Sequence, residues 1–286
     1  MSNYIENPNS KMQMKTIVNF DEIRNFISKI KGVSNSLITN LPIENEKIGK
    51  WIATNQLFYF ETERSTFLLR KSFDYYHLYY IARSEDALYN DLKKFTKKFS
   101  SKIVIDIFGT IHHLEKITNK LKHIGFCIEC KLFRMSKINL SALSVNSSIQ
   151  NVSYEQYTED IIFLLKNNFD NIIDQIPNKS EISNLIKSGN ALLSISEDKS
   201  LKGFLLYNKK NKTAILRYWF VLPKYRNLGV GTKLMKDFLG LNKDTRRLIL
   251  WVAEHNTNAI KIYEHYGFVP EKIHNFVLIM KEKNGK

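Results

Sequence analysis

The order of secondary-structure signals predicts an α/β fold with a mixed sheet, laid down twice in tandem along the 286 residues. In the second half, helix and strand patterns follow as two helices, three meander strands, helix, strand, helix, strand. That order folds as an α/β sandwich. In the first half the same order recurs more coarsely, and a tetrapeptide repeats with it. His123-Ile124-Gly125-Phe126 returns as His265-Tyr266-Gly267-Phe268, each after a helix and before a strand.

Apolar residues at helical spacing predict helices over Phe20–Lys29 and Glu44–Trp51. Strand-like runs follow at Leu57–Glu61, Thr66–Lys71 and Tyr76–Ala82, then helix Glu85–Lys98, strand Lys102–Phe108, helix His112–His123 and strand Cys127–Met135. Ser141–Ser148 is small, polar and uncharged, and reads as a linker. Beyond it, Tyr154–Phe169 and Ser180–Lys187 are helical, and Ala191–Ser196, Gly203–Asn208 and Thr213–Leu222 are consecutive strands. Leu228–Leu239 is a helix, Leu248–Ala253 a strand, Asn258–Tyr266 a short helix and Phe276–Lys281 the closing strand. The expected domains are 1–140 and 150–286, joined by 141–149.

Hydrophobic content of 43% and charged content of 25% suit a soluble globular protein. No apolar run approaches the ~18 residues that span a bilayer. Met1–Ser10 lacks the apolar core of a secretory signal. A cytoplasmic protein without membrane contact is therefore expected. The formal charge of +15 invites a nucleic-acid partner. It is spread evenly over both halves, however, and its densest group, Lys93-Lys94 with Lys97-Lys98, has the spacing of a solvated helix face. Nucleic acid is not the expected partner. Cys127-Ile128-Glu129-Cys130 lacks a second ligand pair, and strand positions three apart face opposite sides, so no metal site is expected.

The most informative stretch is Thr213–Phe238. A strand rich in β-branched and aromatic residues ends at Pro223, which has no N–H to pair. Arg226-Asn227-Leu228-Gly229-Val230-Gly231 follows, and a helix opens at once with Thr232-Lys233-Leu234-Met235. Glycines at a helix start let the backbone approach a ligand, and the unpaired N–H groups with the positive dipole end make an anion site. Arg226 can add a charge-assisted contact to phosphate. Two glycines alone would be an ordinary strand-to-helix turn. Gly231-Thr232-Lys233 is not the Gly-Lys-Ser/Thr of a mononucleotide loop, and no G-x-G-x-x-G is present.

Val221-x-Pro223-x-x-Arg226-Asn227-x-Gly229-x-Gly231 resembles the acyl-CoA pyrophosphate loop of the GNAT superfamily of N-acyltransferases. Asn256-Thr257-Asn258-Ala259-Ile260-Lys261-Ile262-Tyr263-Glu264-His265-Tyr266-Gly267-Phe268 is similar to that family's second signature, N-x-x-A-x-x-x-Y-x-x-x-G-F. The resemblance covers about residues 150–282, and the first half only in outline. It implies acetyl-CoA as cosubstrate and an acetyl group transferred to a primary amine by direct attack, with no metal. The backbone of Phe220 and Val221 would pair with the pantetheine arm in a splayed sheet. Amides of Leu228, Gly229, Val230, Gly231 and Thr232 would hold the pyrophosphate beside Arg226 and Asn227, and Asn256 would bond the pantetheine. Tyr263 would be the general acid, its phenol of pKa near 10 protonating the departing thiolate.

Direct attack requires a neutral amine, so a base is needed. In ribosomal-protein N-terminal acetyltransferases of this layout a glutamate sits five residues before the motif asparagine; here that position is Trp251. Glu254 is the first alternative, with Tyr218, His255 and the remote His274 behind it. The first half resembles a degenerate copy. Arg83-Ser84-Glu85-Asp86-Ala87 stands where the glycine loop would be, and Leu121 takes the place of Tyr263, so it reads as an accessory or substrate-recognition domain. The acceptor is a small-molecule or peptide amine, and the oligomeric state is open. The competing expectation is a non-catalytic acyl-CoA-binding or scaffold protein, which rests on the missing glutamate.

Overall fold

The structure, a computed structural model, describes residues 4–5, 14–33, 36–42, 45–139 and 155–282. Two compact units form: Met1–Lys131 with Ile273–Lys286, and Leu132–Lys272. The expected linker 141–149 lies outside the described residues.

The first unit runs β1 (Tyr4–Ile5), β2 (Met14–Thr16), α1 (Phe20–Val33), β3 (Ile38–Thr39), α2 (Asn45–Ala53), β4 (Leu57–Glu61), β5 (Ser65–Lys71) and β6 (Tyr75–Ala82). It continues with α3 (Glu85–Lys98), β7 (Lys102–Gly109), α4 (Ile111–Lys122) and the start of β8 (Cys127–Ile138). Ser84 Oγ accepts from the Ala87 amide at 3.2 Å and starts α3. That helix buries Leu88, Leu92 and Phe95 in a cluster with Phe67, Phe99, Phe126 and Phe276. Its four lysines all face solvent, as their spacing predicts. A second cluster, with Ile23 and Phe26 of α1 and Trp51 of α2 against Leu68 and Tyr79, covers the opposite face of the sheet.

The second unit has α5 (Thr158–Asn168), α6 (Lys179–Lys187), β9 (Ala191–Ile195), β10 (Leu201–Lys210), β11 (Thr213–Val221), α7 (Val230–Leu241), β12 (Arg247–Ala253), α8 (Thr257–His265) and the start of β13 (Val269–Met280). Its sheet order is β8-β12-β11-β10-β9, with only β11 and β12 parallel. The first unit repeats this pattern: β7 pairs parallel with β6 and antiparallel with residues His274–Met280 of β13. Both are mixed α/β sheets, as the element order predicts. On one face, Leu234, Met235 and Phe238 of α7 pack with Leu250 and Phe268; on the other, Ile161 and Leu165 of α5 and Ile182 of α6 pack with Phe204, Tyr218 and Phe220.

The expected strand Phe276–Lys281 is the end of a longer one beginning at Val269; polar Glu271 and Lys272 and Pro270 hide its start. The helix expected from Tyr154 opens as a 3-10 turn, Glu155–Tyr157, before α5. The short strands β1, β2 and β3 carry too few residues to show a period. Gly125 and Gly267, the repeated glycines, both take left-handed backbone (φ 109° and 82°) as they turn a helix into a strand. Cys127 is exposed and Cys130 buried, and the two are not joined in a disulfide. Among the described residues no cluster of His, Cys, Asp and Glu is placed to hold a metal ion, and no helix is long and apolar enough to cross a membrane.

Candidate active site

β11 follows β10 along its length, from Lys210↔Thr213 to Gly203↔Val221. Along β12 it pairs only from Thr213↔Arg247 to Ile215↔Ile249. On its other edge β12 pairs with β8 along its whole length, from Arg247 to Ala253. The two parallel strands thus part after Ile215, and no described strand covers that edge of β11. A bulge lies at the parting point: Leu206↔Tyr218 and Tyr207↔Leu216 leave Arg217 as the extra residue. The Leu222 amide donates to the Lys202 carbonyl at 3.0 Å. Antiparallel alternation therefore turns the backbone of Phe220 towards β10, and that of Trp219 and Val221 towards the opening. Of the two expected backbone positions, Val221 presents itself and Phe220 contributes a buried ring.

Beyond β11 a short turn, Pro223–Tyr225, leads into the loop, where Asn227 (φ 61°) and Gly229 (φ 77°) take left-handed backbone. Gly229 is the N-cap of α7, and among the described residues no side chain bonds the helix's first amides. Arg226, Asn227, Leu228, Gly229 and Thr232 are exposed and Val230 is buried. Arg226 Nε donates to the Val221 carbonyl at 3.2 Å, folding the loop back against the strand end. A side chain at Gly231 would meet the Trp219 ring at 3.3 Å and Val221 Cγ2 at 3.5 Å, so glycine lets the helix start seat on the strand. Uncapped amides, a dipole end and a nearby guanidinium make an anion cradle.

Trp219 links this cradle to Tyr263. Their rings lie 6.0 Å apart, and the Trp219 indole N–H is buried with no partner among the described residues. Burial pushes the Tyr263 phenol up to about 12, with a smaller contribution from the Asp174 charge. Asn256 caps α8, its Oδ1 accepting from the Ala259 amide at 3.2 Å. Glu254 and His255 lie on an exposed turn after β12. Tyr218 is buried, and its hydroxyl donates to the carbonyls of Asp174 (2.7 Å) and Gln175 (3.0 Å). It anchors the α5–α6 loop. His274 belongs to the first unit, opposite Gly109 on β7.

Asp174, whose charge raises the Tyr263 phenol, is marked by no sequence motif. It sits in an aperiodic connection, Asp170–Asn178, whose one signal is the apolar content of Ile172, Ile173 and Ile176 in a loop. Burial holds its carboxyl above the ordinary carboxylate range and the Asp170 charge adds to this, while an Asp170 amide bond and Arg217 pull it down. A ligand with a phosphate end, an extended amide-bearing arm and a reactive end fits cradle, strand edge and Tyr263 in that order.

The first unit has the same splay with a different filling. β6 and β7 pair in parallel only from Tyr75↔Lys102 to His77↔Val104. Here β3 pairs antiparallel with the end of β6, through Ile38↔Ala82 and Thr39↔Ile81. Asn40 Nδ2 donates to the carbonyls of Leu78 (3.2 Å) and Asp106 (3.1 Å), and its Oδ1 accepts from the Tyr80 amide (2.7 Å). Its carboxamide bridges the parted strands. At the helix start Ser84 caps α3, and Leu121, in the place of Tyr263, is buried.

Residues 158–268 match the model of the acetyltransferase (GNAT) family. No curated protein matches the chain. Similar solved structures include a GCN5-related N-acetyltransferase from Sphaerobacter thermophilus (12% identity, 92% of this chain and 93% of that one, TM-score 0.57). A GNAT-family acetyltransferase from Colwellia psychrerythraea is 14% identical over 95% of this chain and 100% of that one, TM-score 0.55. A tandem GNAT protein from the clavulanic acid biosynthesis pathway is 9% identical over 88% and 99%, TM-score 0.52. At these identities the likeness is one of fold. It spans both units, consistent with tandem GNAT-like domains.

Proposed function

Taking residues 158–268 as a domain of the GNAT acetyltransferase family, we propose that the second unit transfers an acetyl group from acetyl-CoA to a primary amine. One observation carries this reading: β11 and β12 part between an uncapped glycine-started helix and a partly buried phenol. Amides from Leu228 to Thr232, with Arg226 and Asn227, hold the pyrophosphate. The backbone edge at Trp219 and Val221, which no described strand covers, takes the pantetheine amides, with Asn256 flanking. Acetyl-CoA supplies the thioester carbonyl and a thiol leaving group. Tyr263 stays protonated at neutral pH, since its pKa is held at about 12, and delivers its proton to the departing sulfur. Glu254 is the base that the sequence nominates, from an exposed turn. The first unit supports this domain or helps recognise the acceptor.

Titrating the folded chain with acetyl-CoA, and following thiol release with primary amines, tests the proposal. No binding refutes it. A second reading, an acyl-CoA-binding protein without turnover, draws on Trp251 standing where a catalytic glutamate is found in one subgroup. Binding without thiol release for any amine would establish that alternative.

A further inference from the structure

We infer that Asp174, on the α5–α6 loop, receives the acceptor's ammonium group and takes its proton before attack, in place of Glu254. This deepens the acetyl-transfer reading above and rests on it. Three features place the carboxylate for the task. First, Tyr218, beside the bulged Arg217, donates its hydroxyl to the Asp174 and Gln175 carbonyls at 2.7 and 3.0 Å. The loop is thereby tied to β11 just past the point where it parts from β12. Second, the carboxylate is held by one oxygen only. The Asp170 amide donates to Oδ2 at 2.8 Å, and the Asp174 amide returns a bond to the Asp170 carbonyl at 2.9 Å. Oδ1 has no protein donor among the described residues. Third, the Asp174 charge raises the Tyr263 phenol, so the two groups lie within electrostatic reach of each other.

The charged and titratable groups around it fit the role. Asp170 from the same loop and burial favour the protonated carboxyl, while Arg217 from β11 opposes. Tyr218 on β11 and Tyr263 on α8 are both raised by burial and neutral at physiological pH, and Glu181 of α6 acts on Tyr218. A carboxylate lifted above its usual range is a better proton acceptor for an amine. Glu254 lies on an exposed turn.

The step balances. Asp174 takes one proton from the ammonium, leaving a neutral amine. As the nitrogen lone pair forms the C–N bond and the C–S bond breaks, Tyr263 gives its proton to sulfur and recovers the nitrogen's second proton. Asp174 then releases its proton to water. The products are the acetylated amine, the CoA thiol and one proton.

The experiment uses the full chain and the variants Asp174→Asn and Asp174→Glu. Acetyl-CoA binding is measured by calorimetry. Thiol release is followed with spermidine, tyramine, glucosamine and lysine as probes from pH 6 to 9. Asparagine keeps an oxygen for the Asp170 amide, so folding is expected to survive. The expected result is a fall of about 10²-fold in kcat/KM for Asp174→Asn with the best amine. Acetyl-CoA affinity stays within twofold, the acid limb of the pH profile moves to the amine's own pKa, and Asp174→Glu recovers part of the rate. An Asp174→Asn rate above a third of wild type, with the same pH profile, overturns the inference and leaves acetyl transfer standing. A folded wild type that binds no acetyl-CoA, or binds it and releases thiol with none of the probes, overturns the transfer reading and this inference with it.

Discussion

Gly229 offers a substitution whose two costs can be separated. It caps α7 with φ of 77°, and a side chain built on it would meet nothing within 4 Å. Gly229→Ala therefore costs only the left-handed backbone, about 1–2 kcal/mol. Gly229→Glu carries the same backbone cost and adds a carboxylate beside the uncapped amides. Two unit charges at ~4 Å repel by about 1 kcal/mol in water and about 4 kcal/mol near a protein surface. The loop is exposed, so its value falls between these limits, a loss of about 5- to 10³-fold in affinity per facing charge. Thermal melts should show matching losses of stability for the two variants. Calorimetric titration with acetyl-CoA should show Gly229→Ala within about fivefold of wild type and Gly229→Glu far weaker, with the gap narrowing as salt screens the repulsion. Equal affinities for the two variants at low salt would refute the seating of a pyrophosphate on α7.

Three further outcomes follow from the same geometry. Arg226→Ala removes a guanidinium from the cradle and should weaken acetyl-CoA about tenfold while flattening its salt dependence; unchanged calorimetric affinity would remove Arg226 from the site. Tyr263→Phe should lower kcat about 10²-fold with acetyl-CoA affinity unchanged. Because the phenol is active when protonated and its pKa is about 12, wild-type activity should show no alkaline fall from this group between pH 7 and 10. A kinetic pKa near 9 that disappears in Tyr263→Phe would contradict the raised value. Asn40→Ala strands two carbonyls and an amide in the first unit and should cost about 2–4 kcal/mol in a denaturant melt. Acetyl-CoA affinity should be unaffected, and a melt unchanged within 0.5 kcal/mol (about the scatter of a neutral surface change) would mean that Asn40 bridges nothing of consequence.

The parts of the fold that were legible in the sequence share one property: the information lies within a single element. Burial alternates along Thr213–Val221, the glycines of the loop stand at the start of α7, and the apolar stripe of α3 leaves its lysines outside. What was illegible depends on two or more distant segments. Where β11 and β12 part is set by pairing with β8 and β10, and no residue of β11 announces it. The backbone direction of Phe220 against Val221 depends on a register counted from Lys202. Asp174 is one acid in an aperiodic loop, and its role arises from Tyr218, forty-odd residues on, bonding the loop's carbonyls. Asn40 carries no motif at all. Its function is to satisfy carbonyls contributed by Leu78 and Asp106.

The two units show how one strand geometry closes or opens a site. Parting a parallel pair exposes backbone N–H and C=O groups, and each one left buried and unbonded costs about 1–3 kcal/mol. In the first unit the chain answers this itself, with β3 along β6 and the Asn40 carboxamide between the strands. Pantetheine carries the same amide chemistry, so Asn40 stands where such an arm would bond. The helix start that would receive phosphate is closed by an independent change, since Ser84 already caps α3 and Glu85 and Asp86 bring negative charge to its first turn. Either change alone would weaken an anionic cosubstrate; together they remove both of its footholds. In the second unit neither change occurs: the edge at Trp219 and Val221 has no covering strand among the described residues, and α7 begins without a side-chain cap. The halves thus differ at the parting by β3 with Asn40, at the helix start by the Ser84 cap and its acidic first turn, and in the place of Tyr263 by Leu121. That is why the acyl-CoA reading attaches to the second unit alone.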